Sequence, residues 1–391
     1  MGGQRDVSKE SDGHDTIELM TTDKTVGPTH REVETKIEET LRRYPNIARA
    51  RVIRDTGGRL VAQVLPWGTY SVTADTGVLA ELAAMNIAEV RFLHDEIFVD
   101  EVYLRGGIVL RSDAVVFDVG ANIGMFSLFI GARCPSAQVY AFEPVPDMYA
   151  KLQQNIEARG LNVRPFNCGL SDHDHEVTFY YYPDESIMSC RRDYINWENE
   201  VELIKLYVEN ERKSGPPGRA EHLAQVEAIA AKDFEFIECQ CRLRTMSAVM
   251  DEVGVRTIDL IKIDTQRAEY DVLQGIEARH WPLVQQITME VHDEPGSPTE
   301  GRVEQVTTLL EGRGFRVSVA VEDMLRGTGR YAVYAIRPGY DNDPRPVVAG
   351  ADTEHAVEPK LVADWLSTQL PADLLPDRVI VVDALPDLPP A

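Results

Sequence analysis

The sequence VVFDVGANIG occupies residues 115–124 and decides the expected fold of the chain. Residues 115–119 form a nearly continuous apolar run, which is typical of a parallel strand buried on both faces. The run carries one acid, Asp118, and is followed by a turn that contains Gly120 and ends at Gly124. Glycine permits a tight turn and a close approach of the backbone where a strand passes into a helix. The stretch therefore predicts a strand, a ligand-binding turn and a helix.

Strand and helix signals alternate on both sides of this stretch. Further strands are predicted at 139–142, 163–168, 258–263, 285–291, 315–321 and 331–336. Helices are predicted at 123–133, 146–159, 269–275 and 299–312. This alternation indicates an α/β fold, a Rossmann-like sheet of mainly parallel strands with helices on both faces.

Composition narrows the classes of partner. The 391 residues carry a formal net charge of −24, with 43% hydrophobic residues, as in a globular domain. Such a surface repels nucleic-acid backbones and anionic membranes, so neither is expected as a partner. The five cysteines show no framework of disulfide spacing, and no long apolar run is present. We expect reduced thiols and a cytoplasmic location.

The chain divides into a main domain and flanking pieces. Residues 1–28 are polar and predict a disordered tail. Residues 69–340 form the expected main domain, and within it the charged stretch 183–240 interrupts the alternation and predicts a lid insertion. A small α+β module is expected from residues 29–68 and 357–391 together, with 341–356 as a linker.

The turn also indicates the class of cofactor. Asn122 occupies the middle glycine position of a GxGxxG motif, which removes the clearance that a dinucleotide pyrophosphate needs. Glu143 closes the second strand, where an acid can accept both ribose hydroxyls. A nucleoside without phosphate fits both features, and S-adenosylmethionine is such a ligand. Asp118 is expected near its aminoacyl group, and Ser171 and Asp172, after the third strand, near its adenine.

Five short runs resemble the FkbM-type methyltransferases. They are residues 93–103, 117–124, 142–144, 261–264 and 289–292, and the resemblance covers about residues 85–337. It implies a class I methyltransferase fold, a seven-stranded sheet with the last strand pair reversed, and methyl transfer usually to a hydroxyl. It also implies that Tyr103 lies over the cofactor near its sulfonium, where an aromatic face suits a positive charge.

One motif departs from this resemblance. The family usually has Asp-x-Glu-Gly-x-Glu after the fourth strand, whereas residues 264–269 read DTQRAE. Gln266 therefore stands in place of an acid, and Arg267 in place of a glycine. The departure puts the usual loop conformation, and with it the usual acceptor or its activation, in question.

Catalytic candidates follow from the strand ends. Methyl transfer needs an aligned nucleophile and a group that removes its proton. Asp264, Glu290 and His292 end two strands whose carboxyl ends are expected to line one crevice, and His292 ordinarily titrates near neutral pH. Alternatively, Asp264, Glu290 and Asp293 could hold a Mg²⁺ that acidifies a hydroxyl.

The flanking pieces resemble the C-terminal subdomain of nonribosomal peptide synthetase adenylation domains. The resemblance lies in residues 32–66 and 370–386, so the methyltransferase is expected to be inserted in a vestigial copy of that subdomain. Residues 387–391 lack the Asn-Gly-Lys sequence that supplies the adenylation lysine. Adenylation is therefore not expected, and the module is expected to act as a scaffold or to dock a carrier protein.

These features favour an O-methyltransferase acting on a small natural-product intermediate or a carrier-bound amino acid. The expected partners are that substrate and a peptide synthetase carrier or adenylation protein. One alternative is N-methylation of a carrier-bound aminoacyl group. A second, motivated by Gln266 and Arg267, is a binding module that keeps the fold without the chemistry. An NAD-dependent oxidoreductase is disfavoured by Asn122.

Overall fold

The protein is described by a computed structural model. It describes residues 29–41, 47–66, 82, 87–183, 185–194, 197–214, 235–321, 325–340, 343, 345, 347–348 and 359–382. Its strands are β1 Ile47–Arg54, β2 Leu60–Pro66, β3 Leu110–Arg111, β4 Val115–Val119, β5 Gln138–Phe142, β6 Val163–Phe166, β7 Gly169–Ser171, β8 His175–Tyr181, β9 Cys190–Arg191, β10 Ile237–Thr245, β11 Leu260–Ile263, β12 Gln286–His292, β13 Arg316–Ala320, β14 Arg330–Ile336, β15 Val347–Val348 and β16 Arg378–Val381. Its α-helices are α1 His30–Leu41, α2 Ile87–His94, α3 Met125–Arg133, α4 Pro146–Glu157, α5 Trp197–Ser214, α6 Met246–Val253, α7 Glu269–Gln274, α8 Arg302–Gly312 and α9 Pro359–Gln369.

A seven-stranded sheet in the order β13-β14-β12-β11-β4-β5-β6 organises the main domain. The pairs from β12 to β6 are parallel, while β14 is antiparallel to both of its neighbours. The α/β fold class is thereby confirmed. Only β14 runs against the other strands, rather than the last pair, because it turns back from β13 and inserts beside β12.

Alternating side chains of the strands build a core on each face of this sheet. Val116 and Leu260 pack with residues of α3, while Phe117 and Ile261 pack with residues of α6, α7 and α8. Successive strand residues point to opposite faces, so the near-continuous apolar runs are what a sheet covered on both sides requires. The carboxyl ends of β4, β5, β11 and β12 consequently meet at one edge.

A second sheet, in the order β7-β10-β8-β9, was not predicted from the sequence. Strand β9 and the start of β10 lie inside the predicted lid insertion 183–240, and β8 pairs along its whole length with β10. The insertion also contributes α5, as its charged helical pattern indicated. Residues 215–234, which include part of the predicted loop 209–218, lie outside the described residues.

The two ends of the described chain form a separate small sheet, β1-β2-β16. Helices α1 and α9 pack on it through Ile37, Leu41, Val362 and Leu366, all of them fully buried. The Asp377 carboxylate accepts a hydrogen bond of 2.7 Å from the Leu60 amide and ties the two pieces together. The two flanking pieces therefore share one small sheet, on which a helix from each piece packs.

Part of the predicted linker 341–356 is ordered against the main domain. β15 pairs with β3, and the Arg345 guanidinium donates to the buried carboxylate of Asp259 at 2.5 Å. Arg345 and β15 are therefore packed rather than free. The predicted tail 1–28 lies outside the described residues. In the described parts of the chain, we find no helix of the length and apolarity that crossing a bilayer demands.

Candidate functional site

One large cavity opens at the carboxyl edge of the seven-stranded sheet. Six of the residues predicted for the site line it: Tyr103, Gly120, Asn122, Glu143, Asp264 and Glu290. Its other walls come from the turn 185–188, from Leu203 and Tyr207 of α5, and from residues 325–330. The predicted lid insertion therefore contributes directly to the cavity wall.

The cofactor turn has the tight geometry that its glycines suggested. Gly120 has φ of +76°, and a Cβ atom there would lie 1.9 Å from the carbonyl oxygen of Asp264. Asn122 also adopts the left-handed conformation, with φ of +52°, and its side-chain oxygen accepts from the Ile123 amide at 2.5 Å. The backbone of the β4 turn and that of the β11 turn are thus in contact, which leaves no room for a side chain at Gly120.

Glu143 lies at the end of β5 with its carboxylate in the cavity wall. It accepts hydrogen bonds from the amides of Asn122 and Val145, both at 2.9 Å. Burial raises the pKa of this carboxyl to about 7, against the lowering effect of those two bonds. Each carboxylate oxygen retains a further lone pair, so two hydroxyl donors can still be accepted.

The Lys262 ammonium is buried at the centre of the site, although no role was predicted for it from the sequence. Its Nζ donates to the Gly120 carbonyl at 2.7 Å and lies 3.4 Å from Asp118 and 3.7 Å from Asp264. Burial opposes its charge, but the two carboxylates outweigh that effect and raise the pKa of Lys262. A lysine within the apolar strand LIKI was the signal that could have identified it.

Tyr103 lies in the cavity wall and is hydrogen-bonded to Asp264. The segment that carries it contains a π-helical turn, Asp95–Val99, and a short 3₁₀ turn, Val102–Leu104. The Tyr103 hydroxyl donates to Asp264 Oδ2 at 2.6 Å, and Lys262 Nζ lies 5.3 Å from the centre of its ring. The ring therefore already lies where a positive charge is favourable.

Asp264 and Glu290, two of the predicted catalytic acids, line the same cavity. Asp264 already accepts from Tyr103, whereas Arg330 lies beside Glu290 with its Nε at 3.9 Å. Burial raises the pKa of Glu290 to about 7; Arg330 opposes the shift, while the Asp264 charge adds to it. With this pKa, Glu290 can exchange a proton near neutral pH.

Several predicted site residues do not line the cavity. The Asp118 carboxylate is fully buried one layer behind it, where it accepts from Ser127 at 2.7 Å and faces Lys262. Gly124 begins α3 and packs against Leu152. Asp118 and Gly124 therefore shape the turn from behind, and the direct contacts expected of them with the ligand are corrected accordingly.

The predicted adenine contacts are also displaced. Ser171 is fully buried under the backbone of Gly275, and Asp172 is exposed, where it bonds to Ser171 and His173. The cavity is lined instead by Leu170 and Gly169, which lie one and two residues before Ser171. A strand end places successive side chains on opposite faces, so a shift of one residue changes which side chain meets the ligand.

The structure does not support His292 as a catalytic residue or Asp293 as a metal ligand. His292 is fully buried, with Nδ1 2.8 Å from Glu269 Oε1, and burial holds its pKa well below the usual range. The Asp293 carboxylate caps α8 by accepting from the amides of Gly301 and Val303. Across the residues that the structure describes, no cluster of three His, Cys, Asp or Glu side chains suits a metal ion, so the Mg²⁺ hypothesis has no support.

The loop that departs from the family pattern is well ordered. Arg267 has φ of +66°, so it adopts in this chain the left-handed conformation that a glycine adopts easily. Its guanidinium is buried and donates to Glu294 at 2.7 Å. The ion pair thus holds a backbone conformation that costs a non-glycine residue about 1 kcal/mol or more.

Comparison with known proteins places the chain among methyltransferases. The family model described as "Methyltransferase FkbM domain" matches residues 118–317. The 31-O-demethyl-FK506 methyltransferase FkbM of Streptomyces tacrolimicus is 36% identical over 66% of this chain and 94% of its own length. The AMB antimetabolite synthetase AmbE of Pseudomonas aeruginosa is 41% identical over 78% of this chain, which spans only 15% of that synthetase.

Solved structures add similarities of a lower degree. A SAM dependent methyltransferase from Aquifex aeolicus has a TM-score of 0.32 and 14% identity, over 67% of this chain and 98% of its own. The assignment rests on the sequence matches, which cover half of the chain and nearly the whole of one relative. The chain belongs to the FkbM family of S-adenosylmethionine-dependent methyltransferases.

Proposed function

We propose that the chain transfers a methyl group from S-adenosylmethionine to a hydroxyl of a small natural-product intermediate, either free or carried as an aminoacyl group on a carrier protein. The observation that carries this proposal is the position of Glu290. Its partly buried carboxylate, whose pKa is raised to about 7, lines the same cavity as Asp264 and Tyr103.

The residues of the cavity suit the cofactor. The Glu143 carboxylate has lone pairs for both ribose hydroxyls, and Leu170, Met148 and Phe179 offer an apolar wall for adenine. The Tyr103 ring offers its face to a sulfonium. Bound S-adenosylmethionine supplies an electrophilic methyl group on that sulfonium.

Glu290 is the proposed proton acceptor. The hydroxyl must lie in line with the methyl group, and its proton must leave as the new bond forms. Glu290 has the raised pKa that a general base needs at neutral pH, while Asp264, held by Tyr103, orients the acceptor. The Lys262 ammonium lies near both Asp118 and Asp264 and partly offsets their negative charges.

Oxygen is proposed rather than nitrogen because of the names of relatives. The FkbM relative is named for a 31-O position, and another relative is named 2-O-methyltransferase NoeI, with 24% identity over 42% of this chain. The AmbE alignment, at 318 residues, is longer than the predicted main domain. That length supports the proposal that the flanking module is shared with a synthetase.

The test is a methyl-transfer assay with labelled S-adenosylmethionine. Hydroxylated amino acids are offered free and carrier-loaded, with and without EDTA, and the product is located by mass spectrometry. We expect a gain of one methyl group on oxygen that EDTA does not reduce. A methyl group on nitrogen would replace the O-methyl proposal with its nearest rival. Tight binding of S-adenosylhomocysteine without turnover of any acceptor would favour the binding-module hypothesis.

A further inference from the structure

A single turn, Ser186–Met188, forms part of the cavity wall. Ser186 and Ile187 both line the cavity, and Ser186 is almost completely buried. Three segments that are distant in sequence meet on these two residues: α2, the cofactor turn and the loop after β11. The turn is therefore a place where the two sides of the site can influence each other.

The buried carboxylate of Glu89 holds the turn from behind. It accepts from the Ser186 hydroxyl at 2.5 Å, from the Ser186 amide at 3.2 Å and from the Ile187 amide at 2.9 Å. On the cofactor side, Asn122 Nδ2 donates to the Ser186 hydroxyl at 3.1 Å. These bonds satisfy the amides of the turn and attach it to the cofactor loop.

On the acceptor side the turn is held by Gln266. Its Nε2 donates to the carbonyl oxygen of Ile187 at 3.0 Å. Only a donor can make this bond, so a glutamate of the same shape would present an anion to a carbonyl oxygen and lose it. The neutral amide at position 266 is therefore specifically suited to this contact.

The next residue fixes the direction of the Gln266 side chain. Arg267 has a left-handed backbone and a buried guanidinium anchored on Glu294, so the loop cannot easily rotate Gln266 away. Gln266, Thr265 and Ala268 line the cavity, while Arg267 lies behind them. The two residues that depart from the family pattern thus act together: one anchors the loop and the other makes the contact.

We propose that Gln266 is a positioning residue that fixes the Ser186–Met188 turn as the acceptor-side wall and so determines which acceptors fit. The inference rests on the proposed function for the identity of the second substrate, but not for the contact itself. A fixed wall confines the space beyond the cofactor, so the enzyme selects compact acceptors. Loosening the wall lowers the affinity for these acceptors while leaving the cofactor contacts at Glu143 intact.

The test uses Gln266→Glu in the full chain. Hydrogen exchange of the peptide covering residues 185–191 is measured by mass spectrometry, with and without S-adenosylhomocysteine. We expect exchange there to accelerate roughly two- to tenfold, the effect of one lost hydrogen bond. We also expect the dissociation constant of S-adenosylhomocysteine to stay within about twofold, and the KM of the hydroxylated amino acid that turns over best to rise about tenfold. Gln266→Met removes the donor without adding charge and separates bond loss from repulsion.

Gln240→Glu is the matched control. Gln240 also donates from Nε2 to an oxygen, that of Thr178 at 2.8 Å, but it is exposed on β10. It should leave exchange at 185–191 and the acceptor KM unchanged. Unaltered exchange in both Gln266 variants would overturn the proposal. So would equal losses of cofactor and acceptor affinity, which would indicate a general structural role. Failure of the wild-type chain to bind S-adenosylhomocysteine would contradict the proposed function instead, and the exchange result would remain decisive for the turn.

Discussion

The cofactor side and the acceptor side of the cavity are built in different ways. Residues 119–122 and 143–145 form the proposed cofactor side through backbone turns and one acid, at the ends of two adjacent strands. The proposed acceptor side draws single residues from segments that lie up to 227 positions apart, from Tyr103 to Arg330. Local turns can be encoded by a short motif, whereas a wall of this second kind depends on how the whole chain folds.

Gly120→Ala tests the cofactor side and should have the largest effect. The new Cβ would meet the Asp264 carbonyl at 1.9 Å, and the left-handed backbone adds strain. We expect the affinity for S-adenosylhomocysteine to fall roughly 100-fold or more, with a lower Tm, since clash and strain together reach about 3 kcal/mol. Calorimetry and thermal unfolding measure both.

Gly58→Ala is the control for strain alone. Gly58 has φ of +78° in the β1–β2 hairpin, and a Cβ added there would have no atom within 4 Å. The substitution should cost only about 1 kcal/mol of stability and leave ligand affinity intact. Equal effects of the two substitutions would show that the contact between the β4 and β11 turns is unimportant.

Glu290→Gln tests the acceptor side. The amide keeps the shape of the side chain but cannot accept a proton, so we expect kcat to fall by a factor of about 100 or more. The affinity for S-adenosylhomocysteine should change less than about twofold, because Glu143 and the turn remain. In the wild type, kcat should fall as the pH drops through about 7, since burial raises the pKa of Glu290 and the protonated acid is no base. Steady-state kinetics measure both effects.

The surface variant Glu252→Gln is the matched control for that change. Glu252 is partly exposed and pairs with Arg164 and Arg244 away from the cavity. It should leave kcat unchanged. A Glu290→Gln enzyme with wild-type kcat would remove Glu290 from the chemistry and leave Asp264 as the acid to test next.

The difference between the two sides explains what the sequence could predict. Gly120, Asn122 and Glu143 were identified because strand, turn and helix signals are local and the spacing of the acid follows from the strand length. The strands of the seven-stranded sheet were predicted to within about two residues for the same reason. The seven-stranded sheet was implied by the family resemblance rather than by any one segment.

The residues that were wrongly assigned to the site are explained by tertiary contacts that the local sequence does not show. His292 follows Glu290 by two residues, yet packing against Glu269 makes it part of the core. The Asp293 carboxylate caps α8 and is therefore not available to a ligand. The contact of Glu89 with Ser186 joins residues 97 positions apart, and no sequence pattern connects them. Lys262 differs from these residues because the sequence did contain a signal for it. A charged side chain within a buried strand indicates that a partner charge must lie nearby.

The pH dependence of cofactor binding gives a smaller effect that sharpens the comparison. Glu143 must be ionised to accept from two hydroxyls as well as from two amides, and burial raises its pKa to about 7. Below that pH the acid form predominates and must lose its proton on binding. We expect the affinity for S-adenosylhomocysteine to be constant above about pH 8 and to fall towards tenfold per pH unit below about 7.

Calorimetry between about pH 5.5 and 8.5 measures this dependence. Glu143→Gln should bind more weakly and lose most of the pH dependence. Glu290→Gln serves as the control, because the pKa of Glu290 is also raised to about 7 but the residue belongs to the acceptor side. If the pH dependence of binding disappeared in Glu290→Gln and persisted in Glu143→Gln, the assignment of the two sides would have to be exchanged.

Tyr103→Phe should give the smallest effect. It separates the role of the tyrosine ring from that of its hydroxyl. In the proposed function the ring faces the cofactor, whereas the hydroxyl acts on the acceptor side through its 2.6 Å bond to Asp264. Removing only the hydroxyl costs about 1 kcal/mol, so kcat should fall roughly fivefold while the affinity for S-adenosylhomocysteine is retained. Tyr340→Phe is the matched control: its buried hydroxyl donates to Asp259 at 2.8 Å, away from the cavity, and its loss should lower the Tm without changing kcat. Equal losses of kcat in the two variants would mean that Tyr103 acts through stability alone. A loss of cofactor affinity in Tyr103→Phe would mean that the hydroxyl belongs to the cofactor side, and the boundary between the sides would then lie at Asp264 rather than within the tyrosine.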